Sequence, residues 1–259
     1  MRSLRFLVSR RWILFALVVA VLAWAAWLLG QWQFDRLRER QARNAVIEQN
    51  QSAPVARVAD VLAPGEPVAY DEQWQVVSAT GTYDSADTVV VRYRTRDGAS
   101  GVDVVVPLVT ADGTALLVDR GWVAADSSGA DAGDLPAPPA GEVTITGWVR
   151  GDATGDSTAV TDQSTRAISS EQIGPALDRE VYGGFVDLRS ERPQPEAPLE
   201  PAELPELDNG PHFFYGLQWW FFGMLALFGF GYLAWDEWRK RPGATTSAAS
   251  RRPREASRR

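Results

Sequence analysis

Two long stretches without a charged residue constrain this chain more than any other feature. Each is 23 residues long, from Trp12 to Phe34 and from Phe213 to Trp235. At about 1.5 Å per helical residue, such a run is ~35 Å long, enough to cross a hydrocarbon core of roughly 30 Å. The sequence therefore predicts two transmembrane helices, over residues 12–34 and 212–235.

The first stretch has an alternative interpretation, a cleavable signal peptide. Arginines precede it, and Ala23-Trp24-Ala25 loosely resembles a cleavage site. The apolar region of a signal peptide is only about 7 to 15 residues long, however. The length of this stretch favours a retained membrane anchor.

Basic residues at both ends predict the orientation. Residues 1–11 carry four arginines and no acid, and residues 236–259 carry eight basic residues against three acids. Because Arg and Lys accumulate on the cytoplasmic side of membrane spans, we expect both termini in the cytoplasm, the central domain outside, and the protein in the plasma membrane. The basic tail predicts generic attraction to membrane lipid and no nucleic-acid site. Four arginines conflict with this orientation, and we assign them to a helix that continues into water: Arg36, Arg38, Arg40 and Arg43.

Residues 35–188 are predicted to form a β-rich domain. Runs of β-branched or alternating residues, separated by turn residues such as Asp97-Gly98 and Asp112-Gly113, predict five or six short antiparallel strands. Such strands favour a small barrel or a curled sheet. The predicted fold class is therefore an α+β membrane protein with an extracytoplasmic β domain between two transmembrane helices. The predicted strands are 73–83, 88–94, 102–108, 115–119, 143–149 and 183–188.

The connections around these strands carry weaker signals. A short helical piece is expected near 58–62, and Ser169 and Gln172 have the spacing of a capping box that would open one short helix. Residues 124–141 predict a loop. Residues 189–211 contain six prolines among acids, which predicts an extended, semi-rigid strap leading back to the membrane.

Little catalytic chemistry is available. The chain has no cysteine and one histidine, His212, so disulfides, thiolate ligands and histidine-based nucleophilic pairs are excluded from the body of the central domain. Its acids lack the ligand series of a calcium loop, and no Gly-rich phosphate loop is present. We therefore expect a protein that is not an enzyme.

The run Leu117 to Val123 is the most distinctive of the central domain. In a structural interpretation, a strand ends, Gly121 adopts a conformation closed to other residues, and Trp122 fills the core. In a functional interpretation, Arg120 and Trp122 are displayed to a partner, since Arg and Trp are frequent interface anchors.

His212 lies directly before the second apolar stretch, behind Pro211, which suits the first turn of a helix. In a helix that starts there, His212, Tyr215 and Trp219 are at i, i+3 and i+7 and share one face. The histidine either ligates a metal there or only caps the helix and bonds to headgroups or water.

Six motifs in order along the chain carry a resemblance to a known family. They are Leu29-Gly30-Gln31-Trp32-Gln33 with Arg36, Gly81-Thr82-Tyr83, Gly101 to Leu108, Asp119 to Val123, Gly147-Trp148-Val149-Arg150, and His212 with Tyr215 and Trp219. Together they resemble the Surfeit locus protein 1 family. The resemblance extends from about Trp12 to Trp238, includes the two predicted spans, and is most specific in the Arg-Gly-Trp and His-x-x-Tyr-x-x-x-Trp motifs. Gly210-Pro211 departs from the spacer expected before the histidine.

This resemblance implies an assembly factor for haem a-containing cytochrome c oxidase. It implies haem a as a transiently bound cofactor, with His212 as the iron ligand and Tyr215 and Trp219 beside it. Implied partners are cytochrome c oxidase subunit I and, as a second candidate, haem a synthase. The alternative function is a membrane-anchored scaffold that stabilises oxidase assembly intermediates without binding a cofactor.

Overall fold

The computed structural model describes residues 4–126 and 131–240, which form two units. The first unit combines the residues up to Gln41 with those from Asp208 onward, and the second is Ala42–Leu207. The predicted N-terminal segment 1–11, loop 124–141 and basic tail 236–259 therefore lie partly outside the described residues.

Two long helices dominate the first unit, α1 (Arg10–Ser52) and α3 (His212–Lys240). Helix α1 continues past Phe34, as predicted, and its end is consistent with the proline at position 54, because the residue before a proline avoids the α conformation. Arg36 pairs with Glu39, and Arg38 with Asp35, one turn apart on the charged part of α1.

The two helices of the first unit pack through small residues. A β-carbon at Gly216 would lie 2.8 Å from the Phe34 ring, and one at Gly30 would lie 2.3 Å from the Trp220 ring. Only glycine allows this approach, as in many membrane helix pairs. Buried and half-buried positions recur every three or four residues, which is the spacing of a coiled-coil seam: Trp12, Ala16, Val19, Ala23, Ala26, Gly30 and Gln33 on α1, and His212, Gly216, Trp219, Gly223, Ala226 and Phe230 on α3.

Outside this seam, most apolar side chains of the two charge-free stretches are exposed. Phe214 and Phe228 are 74% and 71% exposed, and Leu17 is 60% exposed. A core helix of a water-soluble protein would bury such residues. By length and composition, both helices can cross a membrane.

The second unit is a β-barrel, as the sequence predicted. The strand order is β1-β2-β6-β8-β5-β4-β3-β7, and a further pairing of β2 with β4 closes a ring of β2, β6, β8, β5 and β4. The six longer strands correspond to the six predicted ones. Their bounds, with two short additions, are β1 Ala56–Arg57, β2 Val76–Tyr83, β3 Val89–Arg96, β4 Ala99–Thr110, β5 Ala115–Ala124, β6 Glu142–Arg150, β7 Ser164–Thr165 and β8 Phe185–Arg192.

The prediction of a wholly antiparallel sheet is wrong. Strand β8 pairs antiparallel with β6 but parallel with β5, and β1–β2 and β3–β7 are also parallel. The reason is the long connection between Arg150 and Phe185, which lets the chain return to a place between β6 and β5. Parallel neighbours need such a crossover, whereas hairpins produce only antiparallel ones.

The barrel encloses one apolar cluster and carries a second on its outer face. Val104, Leu116 and Val186 are fully buried members of the inner cluster. Helix α2 (Ser170–Ala176) packs Ile173 into the outer cluster. The helix lies where the capping box predicted it, but its cap differs: the carboxylate of Asp152 accepts from the Ser170 N–H at 2.7 Å, while Ser169 makes no side-chain cap.

The predicted strap begins later than expected, because β8 continues to Arg192. Within the strap, Glu200 pairs with Trp122 of β5 by two backbone hydrogen bonds, of 2.8 and 2.9 Å. Leu199 packs on the inner apolar cluster. The strap therefore continues the hydrogen bonding of the barrel at one point.

Candidate functional site

His212 is the first residue of α3 and is half-buried. Its Nδ1 lies 2.8 Å from the side-chain oxygen Oε1 of Gln33 on α1. Both residues occupy the seam of the helix pair, so the backbone of one helix and a side chain of the other fix the imidazole.

Tyr215 and Trp219 share a side of α3 with His212, but they differ in burial. Trp219 is half-buried in the seam, and its ring centroid lies 6.0 Å from that of Phe222. Tyr215 lies at the edge of the seam and is 48% exposed. The structure therefore combines His212 with a sheltered indole and a more accessible phenol.

Gln33 was not identified as a site residue from its chemistry. The sequence placed it in a motif of the family resemblance and in a charge-free stretch. The polarity of Gln33 could have identified it from the sequence, because a polar side chain within an apolar helix needs a hydrogen-bond partner.

Arg40 and Gly210 complete the surroundings of the imidazole. Arg40 Nε donates to the backbone oxygen of Asp208 at 2.7 Å, and its guanidinium forms an ion pair with the Asp208 carboxylate. Gly210 has a φ of +60°. A β-carbon there would lie 3.6 Å from His212 Nε2 and 3.5 Å from Arg40 Nη1. The Nε2 edge of the ring and the guanidinium therefore converge on a place that glycine leaves open.

Aromatic rings surround this end of the seam. The Phe34 ring lies 6.2 Å from that of Phe213 and 4.9 Å from that of Trp220. Rings of this kind offer a flat apolar ligand large contact areas. Phe34 and Phe213 directly follow Gln33 and His212 in the chain, so this aromatic pair belongs to the same part of the helix pair as the imidazole.

The arrangement suits a metal that arrives with ligands of its own. Within residues 4–126 and 131–240, no group of three or more His, Asp or Glu side chains is arranged to hold a bare ion. A neutral imidazole whose Nδ1–H is bonded to an amide oxygen keeps a lone pair on Nε2. One such nitrogen can serve as an axial ligand of a metal complex.

The Arg120-Gly121-Trp122 motif lies inside the second unit, not at its surface. Arg120 is 3% exposed, forms a 3.0 Å ion pair with Glu191, and stands 5.5 Å from the centre of the Tyr83 ring. Trp122 is 4% exposed. This burial favours the structural interpretation of the motif over its display to a partner.

Gly121 is needed for its conformation and for its small size. Its φ is +126°, and a β-carbon would lie 2.2 Å from the backbone oxygen of Glu200 in the strap. One detail of the prediction is wrong: the strand does not end before Gly121 but runs through it to Ala124, because its last residues still pair with β4.

Three buried carboxylates on neighbouring strands were not predicted as a group. Asp103 pairs with Arg94 at 2.7 Å, and Asp187 pairs with Arg150. Asp119 accepts from the Gly121 N–H at 3.0 Å. Burial, followed by the negative charges of Asp103 and Asp187, raises the pKa of Asp119 well above its ordinary value.

These features define a class: proteins with a β-barrel domain inserted in sequence between two helices that can cross a membrane, and with one imidazole at the start of the second. Residues 20–224 match the model of the SURF1 family. The chain is 31% identical over 247 residues to uncharacterized SURF1-like proteins of Mycobacterium bovis and Mycobacterium tuberculosis, and the match covers 93% of this chain and 90% of each relative. The chain belongs to the SURF1 family, known generally as oxidase assembly factors. The resemblance inferred from the sequence motifs is thereby confirmed.

Proposed function

We propose that this protein is a membrane-anchored assembly factor that binds haem a at His212 and hands it to subunit I of cytochrome c oxidase. The observation that carries the proposal is the Nδ1 contact of His212 with Gln33, which leaves the lone pair of the ring on Nε2, at the edge that borders Gly210. Family membership supports cytochrome c oxidase as the complex that is assembled. Haem a synthase is the second proposed partner, as the donor of the cofactor.

The chain's own residues fit a haem. Bound haem supplies iron with the four nitrogens of its porphyrin, so a single imidazole is sufficient to hold it. His212 would provide a nitrogen ligand for the iron, while Trp219 and Tyr215 would contact the macrocycle. Arg40 stands where a guanidinium can meet a carboxylate of the ligand. A single protein ligand suits a cofactor that must be released again.

The proposed setting is the plasma membrane. Helices α1 and α3 would span the bilayer, both termini would be cytoplasmic, and the barrel would lie outside, because basic residues accumulate at the two chain ends. In this arrangement, the protein has lipid and oxidase subunits as partners, does not bind nucleic acid, and acts without being an enzyme.

One observation favours the second candidate, a scaffold without cofactor. The His212–Gln33 contact is also an inter-helix hydrogen bond, and such bonds stabilise helix pairs in membranes by about 1 kcal/mol. A histidine with this role alone would stabilise α1 against α3 and need no metal. The two candidates therefore differ in whether haem is bound.

The decisive experiment compares the parent with His212→Ala after purification from a host that produces haem a. We expect the parent to carry haem and the variant to lose its haem absorption, while both insert and accumulate equally. Gln218→Ala is the matched control, because Gln218 is a polar residue of α3 outside the seam. Equal haem spectra of the parent and His212→Ala would favour the scaffold.

A further inference from the structure

The contact between His212 and Gln33 determines which nitrogen of the ring is free. A neutral imidazole carries one hydrogen, so one nitrogen donates and the other offers a lone pair. Nδ1 faces the oxygen of Gln33 at 2.8 Å, and because an amide oxygen only accepts, a hydrogen bond between these two atoms requires the hydrogen on Nδ1. The lone pair is then on Nε2.

Several features of the first unit support this arrangement. Gln33 follows Ala26 and Gly30 along the seam of α1, where the neighbouring positions are small and apolar. A carboxamide at such a place is costly unless it is hydrogen-bonded. On the opposite edge of the ring, a β-carbon at Gly210 would lie 3.6 Å from Nε2, so the missing side chain leaves space there. One edge of the imidazole is thus held, and the other borders the space beside Gly210.

We propose that Gln33 is a positioning residue that keeps the neutral ring of His212 in the Nδ1–H form. Nε2 is then the nitrogen presented to the metal of a bound ligand. Only the identity of that ligand as haem rests on the proposed function. In metal sites, the loss of such an orienting partner typically weakens binding 10- to 100-fold. The role of Gln33 is therefore measurable both without and with a ligand.

The first experiment reads the ring directly, without ligand. His212 is the only histidine, so a chain labelled with ¹⁵N-histidine gives the signals of one imidazole. In alkaline buffer, where imidazole is neutral, we expect the full-length protein in detergent to show a protonated Nδ1 and an unprotonated Nε2. A protonated Nε2 in the parent would overturn the proposal.

Two variants and a control test whether Gln33 determines which nitrogen of His212 carries the hydrogen. Gln33→Ala removes the acceptor and should shift the ring toward the Nε2–H form. Gln33→Glu should restore the parent pattern, because a carboxylate can only accept. Gln31→Ala changes the same residue type two positions earlier in α1 and should have no effect. A parent-like signal in Gln33→Ala, or failure of Gln33→Glu to restore it, would contradict the role of Gln33.

The second experiment separates this proposal from the haem function. Titration with iron protoporphyrin IX should give a dissociation constant 10- to 100-fold higher for Gln33→Ala and close to the parent for Gln33→Glu. If His212→Ala binds as tightly as the parent, the haem function fails, while the ¹⁵N result still decides the ring form. If His212→Ala loses binding but Gln33→Ala does not, the positioning role fails and the haem function stands.

Discussion

The barrel buries bulky side chains and charges, whereas the helix pair brings two backbones together through small residues. In the barrel, Leu116 and Val104 are at most 1% exposed, and the Arg120–Glu191 pair lies among them. In the helix pair, Gly216 admits the ring of Phe34, while most other apolar side chains face outward. The barrel is thus stabilised by buried area, and the helix pair by close approach along one seam.

This difference indicates where a ligand can be exchanged. The Arg120–Glu191 ion pair of the barrel is enclosed, so changing either residue alters stability before it alters binding. The polar contact of the helix pair joins two half-buried side chains, His212 and Gln33, and the Nε2 edge of the imidazole borders the space beside Gly210. Function is therefore expected to depend on the less buried unit, and stability on the barrel.

The largest change in unfolding free energy is expected at Gly121, where β5 of the barrel contacts the strap. Gly121→Ala introduces a β-carbon 2.2 Å from the Glu200 oxygen at a φ of +126°. We expect a loss of about 3 kcal/mol in unfolding free energy, from backbone strain and displacement of the strap together. Thermal and urea unfolding of the full chain in detergent, followed by circular dichroism, would measure it.

Gly113→Ala provides the control for Gly121→Ala. Its φ is +91°, but no atom lies within 4 Å of the added carbon. Strain alone should then cost about 1 kcal/mol. Equal losses in the two variants would show that the strap yields freely and that its pairing with β5 contributes nothing.

A smaller change in unfolding free energy, a gain instead of a loss, is expected for a substitution of Asp119. Burial, with the charges of Asp103 and Asp187, raises the pKa of this carboxyl, so the folded chain holds its proton at a pH where the unfolded chain has released it. Its contribution is therefore most favourable in acid and is lost as pH rises through the raised pKa. Asp119→Asn keeps an oxygen for the Gly121 N–H and should gain on the order of 1 kcal/mol at neutral pH.

The pH profile checks the sign of this effect. The stability difference between Asp119→Asn and the parent should grow as pH rises from the ordinary carboxyl range, and then level off. Asp112→Asn serves for comparison, since hydrogen bonds from Thr110 and Thr114 lower the pKa of that exposed carboxyl. A difference between Asp119→Asn and the parent that stays constant with pH would mean that Asp119 ionises equally in both states.

Much of this architecture could be predicted because local sequence determines it. Two charge-free stretches indicated the helices, and β-branched runs indicated the six longer strands. Asp97 and Gly98, at φ of +48° and +80°, form the turn between β3 and β4 that their residue types predicted. The histidine was conspicuous because it is unique.

Other features depend on contacts that no local pattern encodes. The place of β8 between β6 and β5 follows from a long crossover without a pairing signal. Glu191 was predicted to lie in the strap, yet it is buried at the end of β8, where it forms an ion pair with Arg120. Gln33 became a site residue only when the start of the other helix was placed beside it. In each case, the deciding partner is far away in sequence.

The smallest effect on the unfolding free energy of the barrel is expected from a substitution in the helix pair. This substitution tests whether the two units are stabilised independently. Gly216→Ala places a carbon 2.8 Å from the Phe34 ring, so the two helices must separate slightly there. Because the barrel is a separate unit, its unfolding should change by less than about 0.5 kcal/mol. Gly216→Ala should instead increase the distance between α1 and α3 along the seam.

Cross-linking can measure that seam, because the chain has no cysteine of its own. A β-carbon at Gly223 would lie 3.2 Å from that of Ala26, close to disulfide range, so cysteines at both positions should join on mild oxidation. Adding Gly216→Ala should lower the yield, and Phe34→Leu should restore it by removing the ring. Gly229→Ala is the control, since open space surrounds that position. If Gly216→Ala left the yield unchanged but destabilised the barrel, the two units would not be stabilised independently, and the comparison would fail.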